Sequence, residues 1–158
     1  MQQTNDEAVG DWKFARSETM ELLDALSDED LAFVPEGEKW QPLYYQFACM
    51  ARTQLVYAQA LKTGSMDFAA FGDPSLPSKF EQNTGEALRK LFAKSSAAWA
   101  DAIADSAPNV QWPGHRASVS GHIYRLISHE RLHHGQLISY FTLAGIDLPP
   151  KFKANWAL

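Results

Sequence analysis

The sequence predicts an all-α fold: an up-and-down bundle of four long helices, built by residues 1–158 as one domain, with a long second-to-third connection and a short C-terminal tail. Three observations carry this. Four stretches place apolar residues at three- and four-residue steps, which puts them on one helical face. Each stretch is bounded by proline, glycine or a capping residue. No segment alternates polar and apolar residues for long enough to be a strand. With 158 residues, 46% hydrophobic and 21% charged, the chain can bury one core and lies outside disordered composition.

The first helix spans about Asn5 to Leu26, with Trp12, Ala15, Thr19, Leu22, Leu23 and Leu26 in helical register. Ser27-Asp28-Glu29-Asp30 reads as its end and a short turn, and Pro35 and Gly37 close the connection. The second begins at Gln41-Pro42, because proline suits a first turn, and stops at Gly64. On a wheel, Leu43, Tyr44, Phe47, Ala51, Leu55 and Ala58 share one side, and Gln46, Arg52, Thr53 and Gln59 the other.

Residues 65–78 form a long loop whose Phe68 and Phe71 suggest packing over the body. The third helix covers about Phe80 to Asp105, with Leu88, Leu91, Phe92, Ser95 and Trp99 on one face. A break from Ala107 to Arg116 contains Pro108, Pro113 and Gly114. The fourth helix starts at the N-cap Ser118 and runs to Ala144, with Gly145 as its C-terminal cap. Pro149-Pro150 prevent continuation, and Phe152 and Trp156 fit a tail that folds back.

Net charge is −5, with the basic residues scattered, so no footprint for nucleic acid is visible. The lone Cys49 excludes an intramolecular disulfide, in keeping with a reducing compartment. The polar, acidic first ten residues do not read as a signal peptide, and no apolar run approaches membrane-spanning length. The expectation is a soluble cytoplasmic protein with no nucleic-acid or membrane partner. The aromatic loop and tail suggest a homodimer.

Chemistry concentrates in the last helix, which holds His122, His129, His133 and His134. His129 and His133 are one turn apart, the spacing that lets two imidazoles reach one metal from a single helix. With His129 as origin, His133 projects at about 40°, His122 at about 20° and His134 at about 140°. His122 lies two turns away, roughly 10 Å along the axis, too far to join that pair. The pair alone is a weak signal, because a third and fourth ligand are needed and a structural histidine at a bundle edge is common. Tyr140 lies on the same side, and Trp112-Pro113-Gly114-His115 suggests the lining of a mouth.

Read together, His129-Glu130-Arg131-Leu132-His133-His134-Gly135-Gln136-Leu137 and Gly145-Ile146-Asp147-Leu148-Pro149-Pro150 resemble the last helix and exit of the DinB/YfiT-like metalloprotein family. Trp40, opening the second helix, is similar to the family's tryptophan there. The resemblance implies a metal-dependent enzyme of the thiol-transferase or hydrolase type acting on a small molecule. His129 and His133 would be metal ligands and Gln136 a supporting residue; zinc or nickel is the implied ion. The family's third histidine comes from the second helix, about eight residues after the tryptophan, which falls on Ala48. The triad is then incomplete: the metal would be weakly bound or absent, and Ala48→His should strengthen binding. Cys49, about 100° around the wheel, is expected to point away. Glu18, Glu21 and Asp24 of the first helix read mainly as a solvated face. A non-catalytic, stress-linked binding or scaffold member without the metal site is the competing reading.

Overall fold

The computed structural model describes residues 2–37 and 39–158. Its long helices are α1 (Gln2–Asp24), α3 (Leu43–Thr63), α4 (Gly85–Ala104) and α5 (Val119–Ala144), and two short ones, α2 (Asp28–Leu31) and α6 (Pro150–Trp156), complete the helical set. The all-α reading holds. Among the described residues no helix is long and apolar enough to cross a membrane.

Caps fix the helix ends much as the sequence predicts. The Ser118 hydroxyl accepts the Gly121 amide, occupying one of the donors a helix start leaves unpaired. Gly64 and Gly145 end α3 and α5 in left-handed conformation, at φ 72° and 69°. At Gly64 a side chain would also meet the Ala107 Cβ at 3.2 Å, so both backbone and space demand glycine.

Three local expectations are corrected. Ser27 and Asp30 form a reciprocal capping box, so the acidic run after α1 starts a helical turn, α2, instead of only ending one. The third long helix begins at Gly85, not Phe80, because the Thr84 hydroxyl caps it through the Ala87 amide. The break at 107–116 holds a small antiparallel hairpin of β1 (Asn109–Trp112) and β2 (His115–Ser118), turning at Pro113-Gly114. Gln111 exchanges backbone hydrogen bonds with Gly64 and Met66, pinning the hairpin to the exit of α3. Four-residue strands are too short for alternation to register in sequence.

Side-chain pairings give the helix directions. Asp11–Tyr124, Arg16–Glu130 and Thr19–His134 climb together, so α1 and α5 are parallel. Gln46–His133 and Thr53–His129 run oppositely, so α3 and α5 are antiparallel. Phe47–Phe92, Gln54–Ser95 and Lys62–Asp101 make α3 and α4 parallel, which requires the long crossover through 65–84. The order is up, down, down, up, not the strict alternation of a simple up-and-down bundle. The crossover contains a 3-10 turn, Phe68–Gly72, held over the body by Arg52, which donates to the Phe71 and Pro77 carbonyls.

The apolar core is split in two. One half gathers Trp12, Tyr57, Trp99, Trp112 and Ile123. The other gathers Leu22, Phe47, Phe92, Phe141 and Phe152, the last brought in by the folded-back tail. Most buried polar residues of the long helices lie between the two: Arg16, Glu18 and Thr19; Thr53 and Gln54; Ser95; Glu130, His133 and His134. A polar belt thus crosses the middle of the bundle. Unpaired polar groups there cost about 1–3 kcal/mol each, so their partners separate structural residues from the rest.

Candidate metal centre

His129 and His133 face α3 from adjacent turns of α5, with ring centroids 4.6 Å apart. Opposite them stands Cys49. Ligand atoms of Cys49, His129 and His133 all lie within 4.8 Å of one another. Ala48, expected at this place, is wholly buried among the apolar residues of the core. The structure therefore puts Cys49, not Ala48, beside the histidines, and the expectation that Cys49 points away is corrected.

The physical reason is that α3 has two buried faces. Its apolar arc packs on α4 and the core. A second stripe, Gln46, Cys49 and Thr53 at i, i+3 and i+7, meets the histidine edge of α5. Gln46 and Thr53, assigned to the outer side from the wheel, are both buried. The stripe is visible in the sequence once two buried faces are allowed.

A directional hydrogen-bond chain sets the tautomer of His133. The Gln41 carbonyl can only accept, so Tyr140 donates its hydroxyl to it at 2.6 Å. The Tyr140 oxygen then accepts from Gln46 Nε2 at 3.2 Å, which presents Gln46 Oε1 to His133 Nδ1 at 2.9 Å. His133 must donate from Nδ1, leaving the lone pair on Nε2, as a ligating histidine requires. Gln136, expected to support the site, lines the same cavity as His133. Gln46, the link that fixes the ring, was missed by sequence reasoning.

His129 is less tied. Its Nε2 lies 3.5 Å from Thr53 Oγ1, at the edge of hydrogen-bonding distance, and its Nδ1 is buried without a partner. An imidazole with an unpartnered buried nitrogen, clustered with a thiol and a second imidazole, fits a cation site. Burial holds both rings neutral: it pushes His133 down to about 4, helped by His129 and opposed by Gln136 and Glu130. His129 is lowered by burial, against the pull of Glu130. Burial pushes the Cys49 thiol up, with Lys79, Thr53 and Arg52 opposing. Neutral imidazoles are ready to bind a metal, whereas Cys49 must first release its proton.

The other candidates have different roles. His122 is closed, accepting the Trp112 indole N–H at 3.3 Å on Nδ1 and donating from Nε2 to the Tyr57 carbonyl at 3.0 Å. His134 faces α1, its Nε2 2.7 Å from Thr19 Oγ1 and its Nδ1 3.2 Å from Arg131 Nη1. Glu18 is buried and bonded to Arg131 and Asn155, so it is no solvated residue; Glu21 pairs with Lys151 and Asp24 with Arg89. None of these acids reaches the cluster. Trp112 packs at the His122 end with Phe68, so the 112–115 turn does not line the site. The open approach is instead a cavity of about 410 Å³ beside His133, walled by Trp40, Tyr45 and Tyr140, with Gln136 and Lys39 at its edge.

These features define a class: a helical-bundle protein with a candidate metal centre between two of its helices. The chain belongs to the DinB superfamily, whose sequence model matches residues 11–137. Two solved structures share its fold. A DinB-like protein from Bacillus cereus ATCC 10987 is 18% identical with a TM-score of 0.66, over 91% of this chain and 95% of that one. A DinB-like protein, YjoA, from Bacillus subtilis is 16% identical with a TM-score of 0.67, over 90% and 96%. No curated protein matches the sequence.

Proposed function

We propose that this DinB-superfamily protein is metal-dependent, with Cys49, His129 and His133 holding one divalent ion and a small-molecule substrate approaching through the cavity beside His133. The convergence of three ligand atoms within 4.8 Å carries the reading. Ligands of a tetrahedral zinc lie about 3.3–3.7 Å apart, so modest side-chain movement would close the set. A thiolate with two imidazoles suits zinc better than harder ions and is acceptable to nickel. Such an ion, with one position open, would acidify a bound water or thiol, the common need of hydrolases and thiol transferases.

The protein's own residues supply the rest. Gln46 and Tyr140 hold the His133 ring, and Trp40 and Tyr45 wall the cavity beside it. The expectation of weak binding rested on Ala48; with Cys49 in place, zinc should bind one to one. Dialysis against zinc followed by elemental analysis of tag-free protein tests this, with His133→Ala as control. Equal zinc in both would remove the proposal and leave the non-catalytic reading.

A homodimer belongs to the same reading. Phe14 and Trp156 are exposed, and the Arg131 guanidinium lies near both rings, at 5.6 and 5.0 Å. Sedimentation of wild type and Trp156→Lys tests it: a wild-type monomer at tens of micromolar would end the idea.

A further inference from the structure

The cavity beside His133 has a charge of its own. The chain carries a net −5, yet among the described residues no carboxylate lines this cavity. Its charged neighbours are cations. Lys39 stands at its rim. Lys79 lies over the Tyr45 ring, with Nζ 4.5 Å from the centroid, and its charge is felt at both Cys49 and His129. The position of Lys79 is built in: Arg52 grips the Phe71 and Pro77 carbonyls at 2.7 and 2.8 Å and so fixes the crossover two residues before it. Those acceptors are neutral, so the Arg52 charge also remains. Among the described residues neither Lys39 nor Lys79 has a carboxylate partner. By contrast, the cavity between α1 and α6 mixes both signs, with Glu21, Asp24 and Asp147 beside Lys151 and Lys153.

The walls add shape. Trp40 meets Tyr140 edge-on at 5.2 Å, and Tyr45 packs against Phe80 at 5.3 Å, giving flat apolar surfaces on two sides. Trp40 keeps 38% of its surface exposed. An aromatic wall with cations beside it and no acid among its described lining suits a ligand with an apolar body and an anionic end. We infer that the cavity walled by Trp40, Tyr45 and Tyr140 binds a small organic anion, its flat apolar body on the aromatic rings and its anionic group toward Lys39 and Lys79. As a statement about the substrate this rests on the proposed metal reading, because only then does the bound anion lie next to a reactive centre. As a statement about binding it does not need the metal.

Benzoate, phenylphosphonate and benzamide probe this, titrated by calorimetry into full-length protein treated with chelator and, separately, loaded with zinc. The anions should bind and quench Trp40 emission, a signal absent in Trp40→Phe. Benzamide should bind at least about fivefold more weakly. Lys39→Ala and Lys79→Ala should each weaken benzoate about two- to fivefold, the scale of an exposed ion pair. The affinity should fall as salt rises from about 0.05 M to about 0.5 M. Preference for phenylphosphonate over benzoate would assign the anionic group as a phosphate type, and the reverse as a carboxylate. Equal binding of benzamide and benzoate, no binding of any probe, or unchanged affinity in the double lysine variant would overturn the inference. Zinc bound without any anion sinks this inference alone. Anion bound by protein that takes up no zinc sinks the metal reading alone.

Discussion

Helix α5 borders two buried polar regions, one toward α1 and one toward α3, and they are finished differently. Toward α1, Arg16 holds Glu130 through two bonds of 2.9 and 3.1 Å, Thr19 bridges Glu130 to His134, and Arg131 joins His134 to Glu18. Both His134 nitrogens are used. Among the described residues of this network only Arg16 Nη1 lacks an acceptor, and that guanidinium lies over the Phe92 ring at 4.4 Å. Toward α3, Cys49 and His129 are half-buried, His129 Nδ1 has no partner, and His133 keeps a lone pair on Nε2. The same helix, with histidines at adjacent positions, thus carries a closed network and an open one. Closed valences hold the bundle together; open valences are available to a ligand.

The difference predicts opposite outcomes for mutation. The largest effect is expected on the closed side: Arg16→Ala leaves the Glu130 carboxylate buried and unpaired, costing about 3–5 kcal/mol in urea denaturation. Cys49→Ser or His129→Ala should cost less than about 1 kcal/mol, since neither makes a strong bond. A large loss from Cys49→Ser would make the two regions alike and undo the comparison.

Acid should strike next. Burial lowers His122, His133 and His134 from the ordinary 6.5 to about 4. The unfolded chain takes up these protons as pH falls through 6.5, while the folded protein resists until about 4. Stability is therefore full above 6.5 and lost progressively down to about 4, by up to about 3 kcal/mol per histidine. Denaturation at a series of pH values should show this slope, and His122→Gln should flatten it by one histidine's share. A flat profile from pH 7 to 4.5 would contradict the burial argument.

A smaller effect sharpens the open side. Gln46→Leu removes the acceptor that orients His133, so zinc affinity should fall about 10- to 100-fold while the three ligands remain. Smallest of all, Cys49→His exchanges a thiolate for an imidazole and should keep one-to-one binding, with affinity that depends less on pH because no thiol proton is displaced.

Much of the frame was legible in the sequence because it depends on local chemistry. Ser118, Gly64 and Gly145 mark helix ends through backbone rules that need no tertiary knowledge. The histidine pair was legible for the same reason, being one turn apart on one helix. What was not legible depends on how helices face each other. The wheel reading gave α3 a single buried side, so Gln46 and Thr53 were placed outward and Cys49 was turned away, while the count from Trp40 put Ala48 at the site. Glu18 likewise read as solvated because its partners, Arg131 and Asn155, come from α5 and α6. The hairpin escaped notice because its strands are only four residues long, and Phe80 extended an apolar rhythm that Thr84 interrupts.

The central claim is that Cys49 completes a three-ligand site with His129 and His133. Calorimetric titration of zinc into tag-free wild type, Cys49→Ser and Ala48→His tests it in one experiment. Wild type should bind one zinc, Cys49→Ser should bind at least about tenfold more weakly, and Ala48→His should gain nothing, its side chain being aimed into the core. Wild type and Cys49→Ser binding alike, or a clear gain from Ala48→His, would contradict it.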